Sequence, residues 1–169
     1  MNTHPVLLTR LALASVLAII LSGCVTAPAF EVLPSGTAPP AHRVAAEPKQ
    51  WIDHPVVWGG MILEVRNFEH HSEIEMLGYP MDDKQRPLLE LPDEGRFIAL
   101  LPGYVEARDF PLGRFLSLVG RITGERRGSV RSVEYVWPEV DVERVHLWPR
   151  DFRESGSRFS FGVGVGVNL

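Results

Sequence analysis

The chain has 169 residues, a formal net charge of −4 and one cysteine. With 17 Lys and Arg against 21 Asp and Glu, it lacks the basic surface that sequence-independent nucleic-acid binding needs. One cysteine excludes an internal disulfide, so the fold rests on its core alone, and about 100 residues suffice for one modest core.

The N-terminus has the parts of a secretory signal. Arg10 supplies the positive charge. Residues 11–21 are apolar or small, a run too short for a spanning helix of about 20 residues and matched to a signal h-region. Leu21-Ser22-Gly23-Cys24 closes the run as a lipobox. Small residues stand where a peptidase needs room, and the thiol after them is nucleophilic enough to take a diacylglycerol as a thioether. Residues 1–23 are therefore expected to be a cleaved lipoprotein signal peptide, and Cys24 the lipidation site. Acylation also removes the leftover thiol that a secreted chain would carry. Two or three acyl chains anchor firmly, where one is marginal. Val25, rather than an aspartate, follows the cysteine, which favours the outer membrane, on its periplasmic face.

Residues 24–50 read as the lipidated cysteine and a disordered Pro/Ala-rich tether, interrupted by Pro28, Pro34, Pro39, Pro40 and Pro48. Extended at roughly 3.1 Å per residue, it would reach about 75 Å. Residues 57–66 then alternate, with Val57, Gly59, Met61, Leu63 and Val65 on one side and Glu64 and Arg66 on the other, the period of a half-buried strand. Gly59-Gly60 marks a bulge or a sharp coil of the sheet. After a turn, residues 72–79 alternate again, with Ile74 and Met76 inward and Glu73 and Glu75 outward. The two segments should form an antiparallel hairpin, ended by Pro80.

Residues 81–94 are polar and turn-rich. Residues 95–101 form a nearly apolar third strand, covered on both faces, and residues 104–109 one helical turn. In the fourth strand, residues 114–124, Leu116, Leu118 and Ile122 share a face with Gly120 between them, and residues 125–128 are a charged hairpin tip. The fifth strand lies within residues 130–148, with a short piece at 132–136 separated by Pro138. Val140 and Val142 are out of phase with Val145 and Leu147, which a bulge at Glu143-Arg144 would restore. Long glycine-containing strands joined by short turns give an all-β class: a small antiparallel five-stranded OB-like barrel over residues 51–149, with a β-sandwich as the alternative. Residues 150–169 are a polar linker and a Gly/Val tail. Every odd position from Phe159 to Leu169 is apolar, as in a mobile tail or an edge strand added to the domain or to a neighbour.

No serine–histidine pairing, phosphate loop or zinc spacing stands out, so no catalytic, cofactor or metal residue is assigned and the chain is read as not an enzyme. His70-His71 lie beside Glu69 and Glu73, but adjacent residues on a strand point to opposite faces, and an exposed turn pair is the simpler reading. His54 and His146 stand alone, without ligand spacing. Asp82-Asp83 reads as a turn. Arg121, Arg126, Arg127 and Arg131 form a basic patch around the fourth hairpin, a candidate for lipid phosphates or an acidic partner; a solvated hairpin face is the simpler reading. Trp51, Trp58, Trp137 and Trp148 could stack on sugars, with core packing as the default.

Several stretches, taken as an ordered set, resemble the Slp family of outer-membrane lipoproteins. They are the lipobox at Cys24; Val57-Trp58-Gly59-Gly60; Gly78-Tyr79-Pro80-Met81-Asp82 with Arg86-Pro87; Gly95-Arg96-Phe97; Pro111-Leu112-Gly113-Arg114 leading into Val119-Gly120; and Tyr135-Val136-Trp137-Pro138 with Val140 and Leu147-Trp148. The resemblance covers roughly residues 51–149 and leaves out the Gly/Val tail. It implies an outer-membrane lipoprotein associated with starvation or envelope stress, with no established catalytic site. The expected role is non-enzymatic: binding another envelope protein or, alternatively, envelope glycan or lipid headgroups. The expected partners are the membrane through the N-terminal lipid, and an envelope protein or a second copy through the tail, without nucleic acid or cofactor.

Overall fold

The computed structural model describes residues 28–31, 37 and 39–152. The expected signal peptide, the expected lipidation site Cys24 and the Gly/Val tail lie outside the described residues. A short helix α1 (Ala41–Ala46) and a 3-10 turn (Pro48–Trp51) precede five strands: β1 (Pro55–Asn67), β2 (His71–Tyr79), β3 (Arg96–Pro102), β4 (Phe115–Val130) and β5 (Val133–Leu147). They close into a barrel in the order β1-β2-β3-β5-β4. β4 returns to pair with β1, and only β3 and β5 run parallel, from Ile98 opposite Glu139 to Leu100 opposite Asp141. Closure removes the open sheet edges. This is the five-stranded OB-like barrel, not the sandwich.

The alternation read in β2 and β4 holds: Ile74, Met76, Leu116, Leu118 and Ile122 all point into the core. The bulge expected at Glu143-Arg144 is present, because the register steps from Val119–Arg144 to Gly120–Val142 and leaves Glu143 extra. The first half of β1 has its faces reversed. Val56, Trp58 and Ile62 face the core, while Val57 faces outward, where Phe30 and Val119 cover it. The bulge in β1 falls between Ile62 and Glu64, after which Val65 packs inward. Gly59-Gly60 has a different reason: a Cβ on Gly60 would lie 2.3 Å from the Leu77 carbonyl oxygen of the paired strand.

Three further expectations are corrected. Residues 104–109 make a turn closed by Asp109 N–H on the Glu106 carbonyl. The helix instead lies in the stretch read as tether, with Ala41 and Val44 buried in the core, so the folded unit begins well before Trp51. β5 is also continuous through Pro138. The β3 ladder starts only at Glu139, so at Pro138 the strand has one partner, the edge position that tolerates proline.

The tip of the β4–β5 hairpin is Arg131-Ser132, not residues 125–128, with φ of 48° and 70°. Both residues are left-handed, a conformation that two-residue hairpins usually give to Asn-Gly. Arg131→Asn combined with Ser132→Gly should therefore stabilise the protein by about 1–2 kcal/mol. A higher urea midpoint is the expected reading; an unchanged one would mean the native turn carries no strain.

Candidate functional site

Barrels of this connectivity take ligands on the outer face of strands 2 and 3, framed by the β1–β2 and β4–β5 loops. Here that face is filled by the chain's own charges. Glu73, expected outward in solvent, does point outward but is only 3% exposed. Arg126 grips it with two bonds, Nη1 to Oε2 at 2.6 Å and Nη2 to Oε1 at 2.7 Å, and Nη2 also donates to Glu139 Oε1 at 2.6 Å. Arg66 at 3.6 Å and His71 at 3.4 Å complete the cage. The Arg126 hydrogen bonds hold the Glu73 carboxyl below its ordinary value of 4.5 against the opposing effect of burial, with His71 and Arg66 adding to them. Hydrogen bonding to Glu73 in turn pushes the Arg126 guanidinium up.

Beside this cage, Glu75 accepts from Arg96 Nη1 at 2.9 Å and from Trp137 Nε1 at 3.2 Å. The Tyr135 hydroxyl accepts from the Arg96 backbone N–H at 2.7 Å, and its ring packs on Trp137. Of the arginine patch read from the sequence, Arg126 is thus engaged by Glu73 and Glu139, with its side chain half-buried. Arg127 pairs with Glu125 at 2.7 Å, and Arg121 with Glu143 at 3.5 Å and with the Asp53 carbonyl. Arg131 sits at the hairpin tip. The patch is a set of mostly neutralised pairs.

The other candidates are placed as follows. His70 lies near Glu69, with both largely exposed, while His71 stacks on Phe68. Among the described residues, no three His, Cys, Asp or Glu side chains gather to hold a metal. His54 meets Trp51 edge to face, and burial pushes the pKa of His146, edge-on to Trp148, below its ordinary value. Asp82 builds a turn, accepting from the Lys84 and Arg86 backbone N–H groups and from Arg86 Nε. Trp58 and Trp148 are buried, each donating its indole N–H, to the Pro39 carbonyl and to Ser117 Oγ. Trp51 packs against the core.

A second built surface lies on β1 and β4, and sequence reasoning missed it. Gln85, left-handed at φ 63° and 6% exposed, clamps the backbone of Phe30 from both sides. Phe30 N–H donates to Gln85 Oε1 at 2.7 Å, and Gln85 Nε2 donates to the Phe30 carbonyl at 3.1 Å. Ala29 N–H adds a bond to the Lys84 carbonyl. The Phe30 ring is buried on Val57 and Val119, with the Arg144 guanidinium 5.2 Å above it. Ser117 holds Gln85 in place by donating to its carbonyl at 2.6 Å. Alongside, Phe115, Trp148 and Phe152 form a cluster that Ala29 joins. Available signals were Phe30, the single Phe, Trp or Tyr between Cys24 and Trp51, and the helix-favouring run of residues 41–46 between Pro40 and Pro48.

The model of the outer membrane lipoprotein Slp family matches residues 21–162, a span that includes the stretch Leu21 to Cys24, residues 28–31 and the whole barrel. The chain belongs to this family. Among its relatives is an uncharacterized lipoprotein, YeaY, of Escherichia coli K12, 30% identical over 139 residues, which are 80% of this chain and 70% of that protein. The outer membrane protein Slp of the same organism is 24% identical over 102 residues, 60% of this chain and 54% of its own length. A Haemophilus influenzae protein is 28% identical over 91 residues, 53% of this chain and 49% of its own length. The chain thus spans about half the length of the latter two relatives. No solved structure matches significantly. Among the described residues, no helix is long and apolar enough to cross a membrane.

Proposed function

We propose that this Slp-family chain is anchored to the outer membrane through acyl chains on Cys24, on the periplasmic face, and serves a non-enzymatic envelope role by binding another envelope protein. The supporting observation is a rigid aromatic tip at one end of the barrel. Phe68 is 46% and Tyr104 68% exposed, and exposed aromatics on a fixed frame are the usual anchors of protein interfaces. The frame is fixed because the β1–β2 turn and the end of β3 are tied together. Gly103 N–H donates to the His70 carbonyl, Ser72 Oγ to the Gly103 carbonyl at 2.7 Å and Asn67 Nδ2 to the Val105 carbonyl at 3.0 Å. Recognition of glycan or lipid headgroups by the arginine patch has less support, since Arg121, Arg126 and Arg127 already hold carboxylates.

Two measurements test this reading. Cys24→Ser should leave an unlipidated, poorly processed precursor; a mature mass that still carries acyl chains would refute the anchor. Cross-linking in intact cells should give a discrete partner that is lost in Phe68→Ser/Tyr104→Ser and kept when the chain ends at Glu154. Multiples of the protein's own mass that vanish with the tail would instead make residues 159–169 an assembly strand and remove the tip from the account.

A further inference from the structure

The expected lipid site, Cys24, lies much nearer in the sequence to a docked segment than the proline-rich composition implies. Residues 28–31 are held on the β1–β4 face by three backbone-directed hydrogen bonds and the buried Phe30 ring. Cys24 precedes Pro28 by only four residues in the sequence. Four residues fully extended span about 14 Å at most, against the roughly 75 Å expected of an open tether. Phe152 packs on this side as well, in the cluster that contains Ala29.

We infer that residues 28–31 act as a clasp that lays the β1–β4 face of the barrel, around Phe30 and the Asp83-Lys84 turn, against the headgroup layer of a phospholipid bilayer. The partner of this face is the lipid surface itself, and the inference rests on acylation of Cys24. The clasp sets orientation as well as distance. Phe30 covers Val57 near the start of β1, whereas residues 103–106 follow β3, in the opposite wall, and are tied to the turn at the far end of β1. The aromatic tip is thereby directed away from the bilayer, where a protein partner can reach it. A clasp of one ring and three hydrogen bonds also makes the geometry dependent on Phe30 and Gln85 rather than on the barrel.

The experiment uses the full-length lipoprotein in phosphatidylethanolamine/phosphatidylglycerol vesicles that carry a headgroup-labelled acceptor lipid. A donor dye is placed on Asp83→Cys or on Glu106→Cys; an acylated Cys24 is a thioether and takes no dye. Mass spectrometry of the N-terminal peptide first establishes whether acyl chains are present. The expected result is several-fold stronger quenching at position 83 than at position 106. Phe30→Asp should bring the two signals together with little change in the barrel's thermal melt. A 20-residue Gly/Ser insertion after Thr26, with a root-mean-square length of about 25 Å, should do the same without touching any packed residue. Equal, weak quenching at both positions in the acylated wild type would overturn the clasp and leave the anchor standing. Absence of acyl chains would overturn both.

Discussion

Replacing Arg126 by alanine should destabilise the barrel by about 3 kcal/mol, because it leaves a carboxylate buried without its main partner. Glu73 would retain only Arg66 at 3.6 Å and His71 at 3.4 Å, neither with the two-bond grip of Arg126. The cost comes from stranding the charge, not from losing the pair. Glu73→Leu combined with Arg126→Met removes the buried charge together with its main partner and should lose clearly less than Arg126→Ala, although Glu139 also gives up its bond to Arg126. Urea unfolding of the three proteins separates these outcomes. If Arg126→Ala loses less than about 1 kcal/mol, as an exposed pair would, water reaches Glu73 and the face is not closed. The acid limb gives a second reading. Since the Glu73 carboxyl is lowered from 4.5 in the folded state, its contribution is fully present above about pH 4.5. It is lost as the pH falls through the lowered value. The wild type should weaken across that window, and the double variant should show a flatter profile there.

Gly120→Ala should be similarly damaging, at about 3 kcal/mol, through the opposite defect, overpacking. A Cβ on Gly120 would lie 2.3 Å from the Asp141 carbonyl oxygen and 2.8 Å from Val140 Cγ1. The obstacle is backbone of the paired strand beside the Glu143 bulge, so it can yield only by opening the β4–β5 ladder. Gly103→Ala is the control. Nothing lies within 4 Å of its Cβ position and only its φ of +70° resists, which costs about 1–2 kcal/mol. Thermal melts that rank Gly120→Ala well below Gly103→Ala are expected. A Gly120→Ala protein melting like the wild type would mean that the two strands pair in another register.

The sequence by itself determined which segments are strands, that they number five, and where they face wherever one side of the sheet is polar. In β2, Ile74 and Met76 alternate with Glu73 and Glu75; in β4, Leu116, Leu118 and Ile122 stay in phase; and the phase slip between Val142 and Val145 located a bulge. Period two carries information only when one face is wet, however. At Val56-Val57-Trp58 both faces are covered, the outer one by Phe30, so alternation had nothing to report and the inferred faces came out reversed.

Only the tertiary structure decided the fates of Glu73 and Phe30. A glutamate on the outer face of a strand reads as solvated; Glu73 is buried because Arg126, 53 residues away, folds onto it. A proline-rich segment reads as extended chain; Phe30 is docked because Gln85, 55 residues away, offers both an acceptor and a donor to its backbone. Local pattern records what a residue prefers against water. Which partner takes the place of water is settled by closure of the barrel, which brings distant stretches within hydrogen-bond reach.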